Sequence, residues 1–180
     1  EIEEPDRLAE EVQRAFFIAN TETPGPVVVS LPEDMLLEDT KIGPLPTRPL
    51  SVSEPDGAQI VELCERLAEA KKPVLIAGGQ IGFEAGKRAL RQVAERWKIR
   101  VALAWRRQDL FDHSHANFGC HLAFNVPPDI KDTLSEADLV IAIGTRLGDV
   151  TTQGYQIPVA PKPKQPLVHV YPDQQFLGKI

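Results

Sequence analysis

Residues 137–155, ADLVIAIGTRLGDVTTQGY, carry an apolar run that ends in Gly144, Thr145 and Arg146. A glycine at such a point lets a ligand approach the main chain, and a guanidinium grips phosphate through two parallel N–H donors. The chemistry indicated is anion binding, with a pyrophosphate as the fitting group. The competing reading is a surface ion pair between Arg146 and Asp149, a common and weakly stabilising arrangement. A second glycine group, Gly78, Gly79, Gly82 and Gly86 in GGQIGFEAG, departs from the G-x-G-x-x-G spacing of a dinucleotide fingerprint. A tight strand-to-helix turn would use those glycines equally well. In AWRRQD, at 104–109, Trp105, Arg106 and Arg107 stand in place of the acid that would hold an adenine ribose, which argues against an ordinary NAD site.

His113, His115 and His121, with Asp109 and Asp112, are the only candidates for a metal cluster, and neither helical nor zinc-like spacing organises them. They read as solvated or backbone-bonded loop residues. No Ser-His-Asp order or Cys-His pair emerges from spacing. His169 lies inside an apolar run and reads as a structural histidine. Cys64 and Cys120 are far apart and outside any CxxC pattern, so they read as reduced thiols.

The elements that must position these residues follow from periodicity. Leu8, Val12, Ala15, Phe16 and Ala19 form one helical stripe, with Asp6 as the expected N-cap. TPGPVVVSLP then predicts a turn and an interior parallel strand, so residues 1–37 read as the last helix and strand of a domain. Pro44, Pro46, Pro49 and Pro55 forbid a regular helix, and residues 38–55 read as a linker. From residue 56 helix and strand alternate. Ile60, Leu63, Cys64, Leu67 and Ala68 mark a helix before PVLIAGG, and Leu90, Val93, Ala94 and Trp97 mark another before IRVALAW. PPDIKDTLSEA reads as a helix, and DLVIAIG and PLVHVYP as further strands. Such alternation predicts an α/β, Rossmann-like, doubly wound parallel sheet whose ligand crevice lies beyond the carboxyl ends of the strands.

Composition narrows the partners. Net charge is −6, which argues against nucleic-acid backbone binding. No apolar run approaches the roughly 20 residues needed to cross a bilayer, and no signal-peptide pattern opens the chain, which points to the cytoplasm. The start at Glu1 and a first helix with nothing before it to pack on read as a piece of a longer protein.

Taken in order, AFFIANTETPGPVVVSLPEDM, KKPVLIAGGQIG, HANFGCHLAF and ADLVIAIGTRLGD followed by LVHVYPDQQFLGK resemble thiamine-diphosphate-dependent enzymes of the acetolactate synthase type. The resemblance covers nearly the whole chain. It implies that residues 1–37 end the N-terminal, pyrimidine-binding domain and that 56–180 form the central domain, a six-stranded sheet cut short before its last strand. HANFGCHLAF is similar to the loop in which the family carries Gly-x-His. Some members bind FAD in the central domain, others ADP, and many no nucleotide. By position, Gly78, Gly79, Gly119, His121, Gly144, Thr145 and Arg146 would line that crevice. FAD-binding relatives have an acid at the position of Tyr171 and a second arginine at that of Val150, whereas Asp173 and Lys179 keep the exit motif. The resemblance further implies thiamine diphosphate and Mg²⁺ in the intact enzyme, a 2-oxo acid substrate, carboligation or decarboxylation, and homo-oligomers. The activating glutamate and the Gly-Asp-Gly motif belong to the missing N- and C-terminal domains, so the chain alone is expected to be inactive, with no catalytic or metal-binding residue of its own. A stand-alone nucleotide module of electron-transfer-flavoprotein or sirtuin type is the alternative from a different class, and a purely structural interface domain is a third. The expectation for PVVVSL is pairing with an edge of this sheet or of a neighbouring molecule.

Overall fold

A computed structural model describes residues 1–49 and 54–179. The chain forms two compact units, Glu1–Glu54 and Pro55–Ile180. In the first, the apolar stripe produces helix α1 (Leu8–Asn20). Asp6 does not cap it. It lies in a 3-10 turn, Pro5–Arg7, and its Oδ1 accepts from the Thr40 hydroxyl and the Lys41 N–H. Residues 24–31 form no strand. Ser30 C=O accepts from Ile2 N–H, while Val28 is 93% exposed. The β-branched run supplies strand propensity, but among the described residues of its own unit it finds no ladder partner. Pro44, Pro46 and Pro49 lie outside any helix or strand, and the part of the predicted linker at 50–53 lies outside the described residues.

The second unit follows the predicted alternation. Asp56 caps helix α2 (Gly57–Glu69): its carboxylate accepts from Ala58 N–H while Gln59 Oε1 accepts from Asp56 N–H. Strand β1 (Pro73–Ala77), helix α3 (Glu84–Trp97) and strand β2 (Arg100–Leu103) come next. Strand β3 (Phe118–His121), helix α4 (Pro128–Ser135), strand β4 (Leu139–Ile143) and strand β5 (Leu167–Val170) complete the unit. HANFGCHLAF was expected to be a loop. Its centre is instead β3, the edge strand, which pairs with β2 through a register shift at Val101/Ala102.

Every pairing is parallel, and the described sheet has five strands in the order β3-β2-β1-β4-β5. Alternate side chains along the strands feed two cores. Leu75, Ala77, Val101, Leu103, Leu139 and Ile141 pack against Leu67 of α2 and Leu90 and Ala94 of α3. Val74, Ile76, Ala102, Cys120, Val140 and Ala142 pack on the opposite face with Leu134 of α4, Leu147 and Ile157. Helices therefore cover both faces. The chain winds outward from β1 through β2 to β3, then returns to add β4 on the other side of β1. That reversal fixes the topological switch point between β1 and β4.

Candidate ligand crevice at the switch point

Register aligns Ala77 with Ile143, so the turns leaving β1 and β4 start side by side. Gly78 N–H donates to Ile143 C=O at 2.8 Å, Gln80 N–H donates to Gly144 C=O at 3.1 Å, and Gly144 N–H donates to Val170 C=O at 2.9 Å. A Cβ on Gly78 would meet the Gly144 carbonyl and lie 2.5 Å from Thr145 Cβ. Gly144 has φ +67°, the left-handed region that favours glycine, and a Cβ there would be 3.1 Å from Ile81 N. The two turns are therefore packed on each other, and the glycines are explained by main chain meeting main chain.

Of the residues expected in the crevice, Gly78, Gly79, Gly144 and Thr145 come together. Thr145 is buried, its Oγ1 accepts from Leu147 N–H, and its carbonyl faces His169 Nε2 at 2.8 Å. Arg146 is exposed. Its guanidinium carbon lies 5.4 Å from the Phe176 ring, and Lys179 Nζ lies 4.7 Å from the same ring. Among the described residues no Arg146–Asp149 ion pair forms. Tyr171 is buried beside Phe176, with ring centroids 5.6 Å apart, and its hydroxyl accepts from the Gln80 amide at 3.5 Å.

Gly119 and His121 lie on β3, separated from β1 by β2. Gly119 borders a cavity of about 170 Å³ between the sheet and α4, with Val74, Ala102, Cys120, Ile130 and Leu134. His121 ends β3. The Gln108 side-chain amide nitrogen faces its Nδ1 at 3.4 Å, and its Nε2 is buried without a partner. Burial, followed by the neighbouring His113, holds the imidazole below the usual histidine value. The other histidines are committed elsewhere: His113 stacks on Phe118 at 4.5 Å, and His115 Nε2 is 3.0 Å from Glu95. Among the described residues no three His, Cys, Asp or Glu side chains converge as metal ligands. No helix among them is long and apolar enough to cross a membrane.

The crevice residue absent from the sequence-based set is Arg107. It follows β2 and reaches across to the turn after β1. A Cβ on Gly82 would collide with its Nη2, and one on Gly79 would lie 3.4 Å from its Nη1. Its Nη2 is 3.0 Å from Asp109 Oδ2, while its Nε is buried without a partner. The RRQD tetrapeptide carried the signal, since only Ala104 and Trp105 separate it from the end of β2, but nothing local says which glycines the guanidinium covers.

Comparison with known proteins agrees with this architecture. Residues 60–180 match the family model described as the central domain of thiamine pyrophosphate enzymes. The chain is 33% identical to sulfoacetaldehyde acetyltransferase of Castellaniella defragrans, over 98% of this chain and 29% of that protein. It is 32% identical to the acetolactate synthase large subunit of Corynebacterium glutamicum, over 98% of this chain and 28% of that one. The chain thus spans less than a third of the length of these curated relatives. The X-ray structure of a Mycobacterium smegmatis enzyme described as thiamin diphosphate-dependent superposes with a TM-score of 0.70 at 20% identity, covering 99% of this chain and 37% of that one. These findings favour a domain of a larger thiamine enzyme over a free-standing electron-transfer-flavoprotein or sirtuin-like module. The chain belongs to the thiamine pyrophosphate enzymes, and its residues 60–180 are their central domain.

Proposed function

We propose that this chain is the scaffold of a thiamine-diphosphate-dependent enzyme acting on 2-oxo acids, by carboligation or decarboxylation, and that its own nucleotide crevice is closed. The family match over residues 60–180 carries the first part. Relatives named acetolactate synthase and sulfoacetaldehyde acetyltransferase support acyl-group chemistry. Thiamine diphosphate, when bound in such an enzyme, supplies an electron sink for decarboxylation of the 2-oxo acid and transfer of the remaining fragment.

The residues of this chain do the holding. Residues 1–37 belong to the N-terminal domain in this reading, supported by the large exposed side chains Phe16, Val28 and Leu37, which a neighbouring sheet or helix would cover. Residues 56–180 space the two cofactor-binding domains apart. Gly148-Asp149 is followed by Val150, not glycine, so the Mg²⁺ and diphosphate site falls to another domain, as does the activating glutamate. Homo-oligomers form through those domains, and the free thiols of Cys64 and Cys120 fit a reducing cytoplasm.

The closed crevice rests on the packing of Gly78 against Gly144 and Thr145 and on the guanidinium over Gly79 and Gly82. In this reading FAD and ADP do not suit the site, because the Arg107 and Lys87 side chains at the turn after β1 already pair with Asp109. Full-length protein, supplied with thiamine diphosphate, Mg²⁺ and pyruvate, is expected to release CO₂ and form a carboligation product. Absence of turnover with every 2-oxo acid offered would refute the catalytic reading. Neither FAD nor ADP at about 1 mM should raise the melting temperature, since a ligand bound by the folded state alone must do so.

A further inference from the structure

The turn after β1 is lined by two cations that already hold an anion. Arg107 Nη2 is 3.0 Å from Asp109 Oδ2, and Lys87 Nζ, from the first turn of α3, is 3.4 Å from the same oxygen. Lys87 and Arg107 are mostly buried, with side chains 28% and 32% exposed, while the Asp109 carboxylate is half exposed. Arg107 keeps one donor unused: its Nε is buried and finds no acceptor. The guanidinium is held beside Gly79 and Gly82, where only the lack of a side chain makes room for it.

Two converging cations with a spare N–H beside a glycine turn are what a phosphate group requires. Here one carboxylate of the same chain takes up both. We propose that Asp109 is an internal surrogate anion: it occupies Arg107 and Lys87 at the turn after β1 and so keeps a nucleotide phosphate out of the crevice. This rests on the closed crevice argued above and names one residue that helps to keep phosphate out of it. Because the Asp109 pairing is partly exposed to solvent, it is weak in absolute terms. It prevails because the carboxylate is tethered two residues from Arg107 and competes at a high effective concentration.

The test uses full-length protein and ADP as the probe, read by calorimetry and by thermal shift. The unaltered protein is expected to show no binding at about 1 mM ADP. Asp109→Ala, at a half-exposed position that leaves the core untouched, is expected to bind at least tenfold more tightly, with affinity falling as salt is raised. Asp109→Asn should gain in the same direction, and the Asp109→Ala, Arg107→Ala double variant should lose most of the gain. If Asp109→Ala and Asp109→Asn melt like the parent and still take no ADP, the surrogate-anion proposal is overturned and the closed crevice stands. Binding by the unaltered protein would overturn the closed crevice instead, whatever the variants do.

Discussion

A methyl group on Gly78 would lie 2.5 Å from Thr145 Cβ, so the turns leaving two neighbouring strands are fitted to each other with no space between them. Gly78→Ala must push backbone against backbone, because the Gly144 carbonyl and Thr145 Cα also stand in the way. Overpacking of this kind costs about 1–3 kcal/mol. Chemical denaturation should show that loss, and a variant as stable as the parent would mean that the turns are less tightly apposed than described.

Gly82→Ala meets a different obstacle. The new Cβ would strike the end of the Arg107 side chain, which is flexible and can swing away, and would stand 3.0 Å from the Gly79 carbonyl oxygen, a tight contact that remains. Its cost should therefore depend on Arg107. In an Arg107→Ala background Gly82→Ala should be more nearly neutral, giving a coupling of about 0.5–3 kcal/mol in a double-mutant cycle. Strict additivity would remove the guanidinium from this turn.

Acid stability should pass through Glu95. Its carboxyl is held below the usual glutamate range, first by the hydrogen bond from Arg91 and then by that from His115. A carboxyl whose pKa is lower folded than unfolded adds stability that is complete above the unfolded value of about 4.3 and is lost as pH falls through the folded one. Glu95→Gln should thus melt below the parent at neutral pH and converge with it at low pH. Parallel melting curves across the whole range would contradict the pairing.

The two cysteines should separate chemically. Cys64 is exposed on α2, whereas Cys120 is buried in β3, where burial pushes its thiol up to about 11. The thiolate is the reacting form, so iodoacetamide at about pH 8 should label Cys64 and leave Cys120 intact until the protein is denatured. Mass spectrometry of the native, labelled protein decides it, and equal labelling would place Cys120 elsewhere.

Four strands were legible in the sequence because each is a short apolar run bounded by Gly, Pro or charge: the three inner strands β1, β2 and β4 are buried on both faces, and β5, though at the edge, keeps a β-branched run. β3 was not, since Phe118–His121 is an edge strand with a glycine, only Cys120 fully buried, and a register shift beside it. Val27, Val28 and Val29 lie outside every described strand: their propensity is real, but a strand also needs a ladder, and none among the described residues supplies one. Asp6 reads as a cap by local spacing and is claimed instead by Thr40 and Lys41, thirty-four and thirty-five residues away. The candidate site divides in the same way. Gly78, Gly79, Gly144 and Thr145 lie at adjacent strand ends, as the alternation implied, whereas the position of Arg107 over Gly82 depends on which strands become neighbours.

The strand order also dictates how the sheet can be assembled. β1 pairs with β2 soon after it is made, but its other edge waits for β4, whose residues come only after β3 and α4 have been synthesised. During synthesis β1 therefore has Val74–Ala77 unpaired along one side, a margin of free N–H and C=O groups flanked by apolar side chains. The margin is covered only when Leu139–Ile143 arrives and pairs with it.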